Sequence, residues 1–118
     1  MCFFGRRRKN KKSMQNNKQV IANKKMIEQN ECNIGVLIVM ADDNEIKNDL
    51  ERIKDIIKYI EPVSAGKAME LDKKIANIIG DIKIILSKEK NFEKIKDLIK
   101  KIEICVAERK MCVDNMGA

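Results

Sequence analysis

The sequence contains few residues that could take part in catalysis, and two pairs of acidic residues are the first candidates. Asp42 and Asp43 are adjacent, and Glu70 and Asp72 lie two positions apart. Two carboxyl groups can divide general acid and base work when their surroundings separate their pKa values. The chain has no His that could act as a base near neutral pH, and only five Gly. Both pairs are therefore interpreted as charges at the starts of helices, and we expect no catalytic residues.

Four cysteines could in principle hold a metal ion or form disulfides: Cys2, Cys32, Cys105 and Cys112. They contain no C-x-x-C pair, and without His a zinc site would have to gather all four from distant positions. Cys105 and Cys112 on one helix would lie ~10.5 Å apart, beyond the ~7 Å that a disulfide spans. We expect no metal site and reduced thiols, with Cys105 in the core and Cys2, among cations, the most reactive.

Gly66 and Lys67 in EPVSAGKA invite comparison with the phosphate-binding loop G-x-x-x-x-G-K-[ST]. That loop needs a first Gly and a hydroxyl that binds magnesium. Here Glu61 stands at the first Gly position and Ala68 at the hydroxyl position. Lys67 is therefore interpreted as an exposed residue in the first turn of a helix, and no cofactor is expected.

Positive charge near the N-terminus is the strongest functional signal. The net charge is +7, yet the first 27 residues carry +9 and no acid, which leaves −2 on the remainder. Like charges repel and resist packing, so residues 1–27 are expected to form a largely disordered tail. The residues predicted to bind an anionic surface are Phe3, Phe4, Arg6, Arg7, Arg8, Lys9, Lys11 and Lys12.

The two Phe residues directly before the basic cluster favour a membrane surface. Each cation near an anionic membrane contributes ~1 kcal/mol, and a weak apolar anchor needs such a second signal. We therefore expect a non-enzymatic interaction module that its tail tethers to an anionic membrane. Two alternatives remain open: a nucleic-acid-associated protein whose tail binds phosphates, and an assembly protein or inhibitor that contacts a protein partner through an Ile-rich helix face. No small-molecule substrate is expected.

The position of the apolar residues gives an expectation for location. Phe3 and Phe4 precede the charges, the reverse of a secretion signal, and the longest apolar run, 36–41, is far shorter than the ~20 residues of a membrane span. We expect a cytoplasmic protein, peripheral at the inner face of the membrane if the tether hypothesis holds. The abundance of Ile, Lys and Asn (19, 20 and 11) indicates A/T-rich coding and favours a bacterial or phage source.

Three heptad stripes of apolar residues predict the body of the protein. Apolar positions step by 4, 3, 4 and 3 from Ile46 to Ile60 and again from Leu71 to Ile85, and a third stripe follows from Ile95. Short links require adjacent helices to be antiparallel. The prediction is an all-α, antiparallel three-helix bundle over residues 28–113, with helices at about 34–61, 65–87 and 92–112 and a frayed end at 114–118.

The number of helices is left open by two segments. Residues 34–41 are apolar on every side and fit a strand or a helix, and helix length favours one helix continuous with 46–60, with Gly35 and 42–44 as candidate kinks. A faint upstream pattern indicates a short fourth helix, and its residues are Val20, Ile21, Met26 and Ile27. A body of this size has a modest core, so self-association or a protein partner is expected.

Capping residues give the expected helix boundaries. Asp42 with Glu45 fits a capping box before the first helix, and Pro62 ends that helix. Ser64 and Asn91 are the predicted N-caps of the second and third helices.

Overall fold

The computed structural model of the chain describes the backbone of residues 3–64, 66–88 and 91–117, and the side chains of residues 18–64, 66–88 and 91–113. Within this part the protein has four helices and no strand. They are α1 (Phe3–Met40), α2 (Asn44–Lys58), α3 (Gly66–Lys88) and α4 (Phe92–Gly117). The prediction of an all-helical bundle is confirmed, with a fourth helix that is a full member of the bundle. The backbone of α4 is described as far as Gly117, and the side chains of residues 114–118, where fraying was predicted, lie outside the described part.

Residues 34–41 are helical, but they continue the helix before them rather than the one after them. α1 ends at Met40, and α2 begins at Asn44 after a three-residue link. The single helix predicted over 34–61 is therefore wrong, because the chain reverses at the Asp-rich positions that the sequence offered only as a kink. Asp43 explains the break: its Oδ2 accepts a hydrogen bond from Ile46 N at 3.3 Å, which caps α2.

The caps of the other helices agree with the sequence only in part. Asn91 caps α4 as predicted, since Lys94 N donates to its Oδ1 at 3.3 Å. The first cap lies at Asp43 and not at Asp42, one residue later than expected. α3 is described from Gly66, and the residue between it and Ser64 lies outside the described part, so the cap predicted at Ser64 stays a prediction.

The helices pack as a square in which each has two neighbours. α1 packs against α2 and α3, and α4 packs against α3 and α2. The short links at 41–43 and 89–91 make α1 antiparallel to α2 and α3 antiparallel to α4. α1 and α4 therefore lie on one diagonal of the square, and α2 and α3 on the other.

The core is rich in Ile and follows the predicted stripe of α2 and that of α4 as far as Ile102. In α3 the predicted Ile78 and Ile85 are only half-buried, and Ile79 and Leu86 take the core positions instead. In α2, the four buried positions step by 4, 3 and 4. Cys105 is buried in the α4 stripe, as expected. The large apolar side chains with almost no exposure are those of Ile34, Leu37, Ile46, Leu50, Ile53, Ile57, Ile75, Ile82, Ile95, Ile99 and Ile102.

α1 contributes a stripe of its own that begins inside the predicted tail. Its buried residues step by 4, 3, 4 and 3, and Ala41, directly after the helix, continues the pattern; the helix residues are Asn23, Ile27, Asn30, Ile34 and Leu37. The boundary predicted after residue 27 therefore moves toward the N-terminus, and residues 18–27 belong to the bundle. Ile21, one of the residues of the faint upstream pattern, is 54% exposed. Of the residues 1–27 that were predicted to form a largely disordered tail, the side chains of 1–17 lie outside the described part.

Candidate functional site

The eight residues predicted to bind an anionic surface, from Phe3 to Lys12, have side chains outside the described residues. The structure therefore describes the place where this basic segment joins the bundle. Lys18 is the first described side chain and is exposed, and Asn23, a little more than one turn later, is completely buried. The contacts that fix Asn23 therefore also fix the point at which the basic segment joins the bundle.

A buried ion pair between α3 and α4 lies at this junction. Arg109 Nε donates to Asp72 Oδ1 at 2.9 Å, and the two side chains are only 5% and 1% exposed. Arg109 Nη2 also donates to the carbonyl oxygen of Glu61, at 3.1 Å, in the link between α2 and α3. A buried charge is costly unless it is paired and fully hydrogen-bonded, and these contacts meet that condition.

Asn23 joins α1 to this ion pair through two hydrogen bonds and to the α2–α3 link through a third. Its Nδ2 donates to Asp72 Oδ2 at 2.6 Å, and its Oδ1 accepts from Arg109 Nη2 at 2.9 Å. The same Oδ1 accepts from the backbone N of Val63, also at 2.9 Å. Arg109 thus bridges the diagonal of the bundle, and one side chain of α1 is bonded to α3, to α4 and to the α2–α3 link.

Asn30 completes the cluster two turns further along α1, where its Nδ2 donates to the carbonyl oxygen of Asp72 at 3.1 Å. Among the described residues, no buried side-chain nitrogen or oxygen lacks a hydrogen-bond partner. We call Asn23, Asn30, Asp72 and Arg109 the polar clamp. Because its polar groups are occupied by one another and by the backbone, the clamp is suited to fixing helix register rather than to acid and base chemistry.

The clamp defines one end of the bundle. It brings together the early part of α3, the late part of α4 and the α2–α3 link, through Asp72, Arg109, Glu61 and Val63. The basic segment therefore joins the bundle at this end, and the α1–α2 link lies at the opposite end of α1.

The acidic pairs of the sequence have the helix-start positions that were predicted, with one exception. Asp43 caps α2, and Glu70 is exposed in the first turns of α3. Asp72 is different, since it is buried against Arg109 rather than placed as a surface charge near a helix N-terminus. Gly66 is the first residue of α3, and Lys67 is exposed in its first turn.

α2 and α4 are also linked by ion pairs on the surface. Arg52 Nη2 lies 2.7 Å from Glu103 Oε1, and Lys96 Nζ lies 2.9 Å from Glu45 Oε1. The hydrogen bond to Glu45 raises the pKa of Lys96 above its ordinary value of 10.5. These side chains are well exposed, so each pair contributes little to stability.

The outer face of α3 and α4 carries apolar residues that the core does not cover. Ile84 and Ile104 are 55% and 57% exposed, and Ile78, Ile85 and Leu98 beside them are half-buried. They line a shallow groove along the two helices. Large apolar residues grouped on a surface in this way are typical of contacts with another macromolecule.

The described cysteines, Cys32, Cys105 and Cys112, are free thiols. Burial raises the pKa of Cys105 above its ordinary value of 9.0, and the charge of Glu108 adds to the effect. In the described part of the chain, no three His, Cys, Asp or Glu side chains are grouped as a metal site.

None of the described helices is long and apolar enough to cross a membrane. No protein-family model, curated protein or solved structure matches the chain.

Proposed function

We propose that this protein is a non-enzymatic helical module that its N-terminal basic segment tethers to an anionic membrane surface. The observation that carries the proposal is that α1 contains both the basic cluster of residues 6–12 and Asn23, which is hydrogen-bonded to three other parts of the bundle. A binding segment attached in this way transmits its position to the whole bundle. A segment joined through a flexible linker does not.

The chemistry of the segment supports a membrane as the anionic partner. Phe3 and Phe4 supply an apolar anchor and the following cluster supplies charge, and the two signals together give stable attachment where either alone is weak. Basic proteins that bind single-stranded nucleic acid use aromatic side chains as stacking platforms along the bound strand. Here no aromatic residue is interleaved with the cations at positions 6–25.

Co-sedimentation of the full chain with vesicles tests the proposal. We expect the protein to pellet with phosphatidylserine-containing vesicles, and binding to fall as salt is raised. Pure phosphatidylcholine vesicles are expected to leave it in solution. Equal pelleting with both kinds of vesicle contradicts the proposal.

Two matched variants separate the segment from net charge. One replaces Arg6, Arg7 and Arg8 by Gln, and the control replaces three exposed lysines of the bundle, Lys73, Lys88 and Lys100, by Gln. Both lower the net charge equally, yet only the first is expected to release the protein from anionic vesicles, with about a hundredfold weaker binding. Equal losses in both variants indicate an unspecific charge effect and contradict the tether.

Nucleic acid is the competing partner, and the same variants distinguish it. If the chain binds a DNA duplex more tightly than anionic vesicles at equal salt, and the Arg variant loses that binding, the segment is a phosphate-binding arm and not a membrane tether.

A further inference from the structure

The outer seam between α2 and α4 changes character along its length. At the end far from the clamp, Lys96 Nζ lies 2.9 Å from Glu45 Oε1. Nearer the clamp, Arg52 Nη2 lies 2.7 Å from Glu103 Oε1. Beyond this second ion pair the seam opens into an apolar groove. We call it the α2–α4 groove, and its apolar walls are formed by Ile56, Tyr59, Ile60, Val106 and Val113.

The size of the α2–α4 groove is that of a small-molecule site. Its volume is about 380 Å³, within the ~300–1,000 Å³ that is usual for ligand pockets. The wall formed by α4 runs from Val106 to Val113, which is ~10.5 Å along the helix axis. The ion pair of Arg52 with Glu103 lies about one turn before Ile56 and Val106 and bounds the groove at that end. Such a space suits a ligand with one short aliphatic chain.

The walls leave apolar surface in contact with water. Ile56 is 40% exposed and Tyr59 is 76% exposed. Ile60, Val106 and Val113 are half-buried. A ligand that covers these side chains gains from the removal of apolar surface from water, so the walls favour an aliphatic ligand over a polar one.

The guanidinium of Arg109 reaches the α2–α4 groove from the polar clamp. Its hydrogen bonds to Asp72, to Asn23 and to the carbonyl oxygen of Glu61 are donated by Nε and Nη2. Nη1 takes part in none of these bonds, and among the described residues no buried side-chain nitrogen lacks a partner. Nη1 is therefore the nitrogen that faces the groove. The three bonds of the clamp hold it in place.

The polar groups at the groove select the head group of the ligand. Lys110 is exposed at the rim and forms no ion pair with another described residue. Arg109 Nη1 and Lys110 Nζ are donors that cannot accept, and a carboxylate accepts charge-assisted hydrogen bonds from both kinds of group. Glu61 is the acid among the described lining residues, and its exposed side chain can extend into solvent.

We propose that the α2–α4 groove binds a medium-chain aliphatic carboxylate. The carboxylate accepts from Arg109 Nη1 and from Lys110 Nζ, and the alkyl chain lies along Ile56, Ile60 and Val106. The apolar walls and the two donors fit the two parts of this ligand. The proposal is independent of the membrane tether, because no residue of the N-terminal basic cluster lines the groove.

Titration of the full chain with octanoate, in the absence of vesicles, tests the site. Tyr59 is the only Tyr of a chain without Trp, so tyrosine fluorescence reports on this groove. We expect a saturable change in that fluorescence and in titration calorimetry, with a dissociation constant on the order of 1 mM. Octanol has the same alkyl chain without the carboxylate and is expected to bind roughly tenfold more weakly. Saturation in neither measurement overturns the proposal, and equal binding of octanol overturns the role given to the two donors.

A substitution in the wall locates the alkyl chain. Ile56→Gln is expected to weaken octanoate binding about fivefold, because it replaces an exposed apolar side chain of the wall by a polar one. The matched control is Ile84→Gln, at a residue of α3 that is 55% exposed outside the groove, and it is expected to leave binding unchanged. Equal losses in the two variants overturn the location.

Charge variants locate the carboxylate. Lys110→Gln is expected to weaken octanoate binding roughly threefold to tenfold, and Glu61→Gln, which removes a like charge from the rim, is expected to strengthen it. Lys101→Gln, at an exposed position elsewhere on α4, is the matched control and is expected to have no effect. Equal losses for Lys110→Gln and Lys101→Gln show an effect of net charge alone and overturn the site.

A last control separates the groove from the basic segment. The variant in which Arg6, Arg7 and Arg8 are replaced by Gln is expected to bind octanoate as the unchanged chain does. If this variant loses binding, the carboxylate binds to the N-terminal segment, and the assignment to the α2–α4 groove is overturned.

Discussion

Arg109 of α4 and Asp72 of α3 form a 2.9 Å ion pair in the interior of the bundle, and neither side chain is more than 5% exposed. The pair is the centre of the polar clamp, and Arg109 is also hydrogen-bonded to α1 and to the α2–α3 link. Apolar side chains of similar size fill a core without such geometric demands. We infer that the clamp selects one register for four helices that otherwise present similar Ile-rich stripes.

Removal of one partner of the buried pair is the first prediction. Arg109→Ala leaves Asp72 charged and unpaired in the core, so we expect the free energy of unfolding to fall by about 3–5 kcal/mol. Urea denaturation monitored by circular dichroism measures it. The matched control is Arg52→Ala, which breaks the exposed pair with Glu103 and is expected to cost under about 1 kcal/mol. Similar small losses in both variants contradict the role given to the clamp.

Asn23 gives the second prediction, which concerns where the bundle begins. Asn23→Ala removes three hydrogen bonds and leaves Val63 N without its partner, so we expect a loss of about 2–3 kcal/mol in the same assay. Asn33 is the matched control, because its side chain accepts only a surface bond from Gln29 at 3.2 Å. If Asn23→Ala is as mild as Asn33→Ala, residues 18–27 do not form part of the folded core.

The break between α1 and α2 gives the third prediction. Asp43→Ala removes the side-chain oxygen that accepts from Ile46 N, and we expect a loss of about 1 kcal/mol. Asn48, exposed inside α2, is the control, because Ala is the better helix former at such a position and Asn48→Ala is expected to be neutral or slightly stabilising. A neutral Asp43→Ala contradicts a helix start at Asn44.

The buried thiol gives the fourth prediction. Burial raises the pKa of Cys105, and alkylation needs the thiolate, so Cys105 is expected to react with iodoacetamide far more slowly than exposed Cys32. A Cys2→Ser background keeps the first cysteine from reacting. The contribution of the neutral thiol to stability is complete below pH 9.0 and is lost as the pH rises through the raised value. Equal rates for the two thiols in the folded protein contradict the burial of Cys105.

The heptad pattern predicted α2, α3 and α4 because their core positions are almost all apolar. α1 has an equally regular stripe, but two of its positions are Asn23 and Asn30, and a search for apolar residues passes over them. Polar residues that recur in step with Ile27, Ile34 and Leu37 were the signal that could have identified the helix.

The polar clamp itself could not be predicted from the sequence. Asp72 and Arg109 are 37 positions apart and sit among many other charged residues. The sequence did place each charged residue on the apolar face of its helix. Asp72 directly follows Leu71, and Arg109 lies four residues after Cys105. Which charges pair depends on how the four helices pack, and heptad spacing leaves that packing open.

A single Trp placed in the N-terminal segment tests the tether most directly, since the chain has no Trp of its own. In Phe4→Trp, we expect the fluorescence of the full chain to shift to the blue on addition of phosphatidylserine-containing vesicles, because the indole enters the apolar part of the interface. Tyr59→Trp, at an exposed site of the bundle, is the control and is expected to keep its spectrum. The account predicts a shift for Phe4→Trp with anionic vesicles and none with a DNA duplex. An unshifted spectrum with anionic vesicles, or a shift with DNA alone, would contradict it.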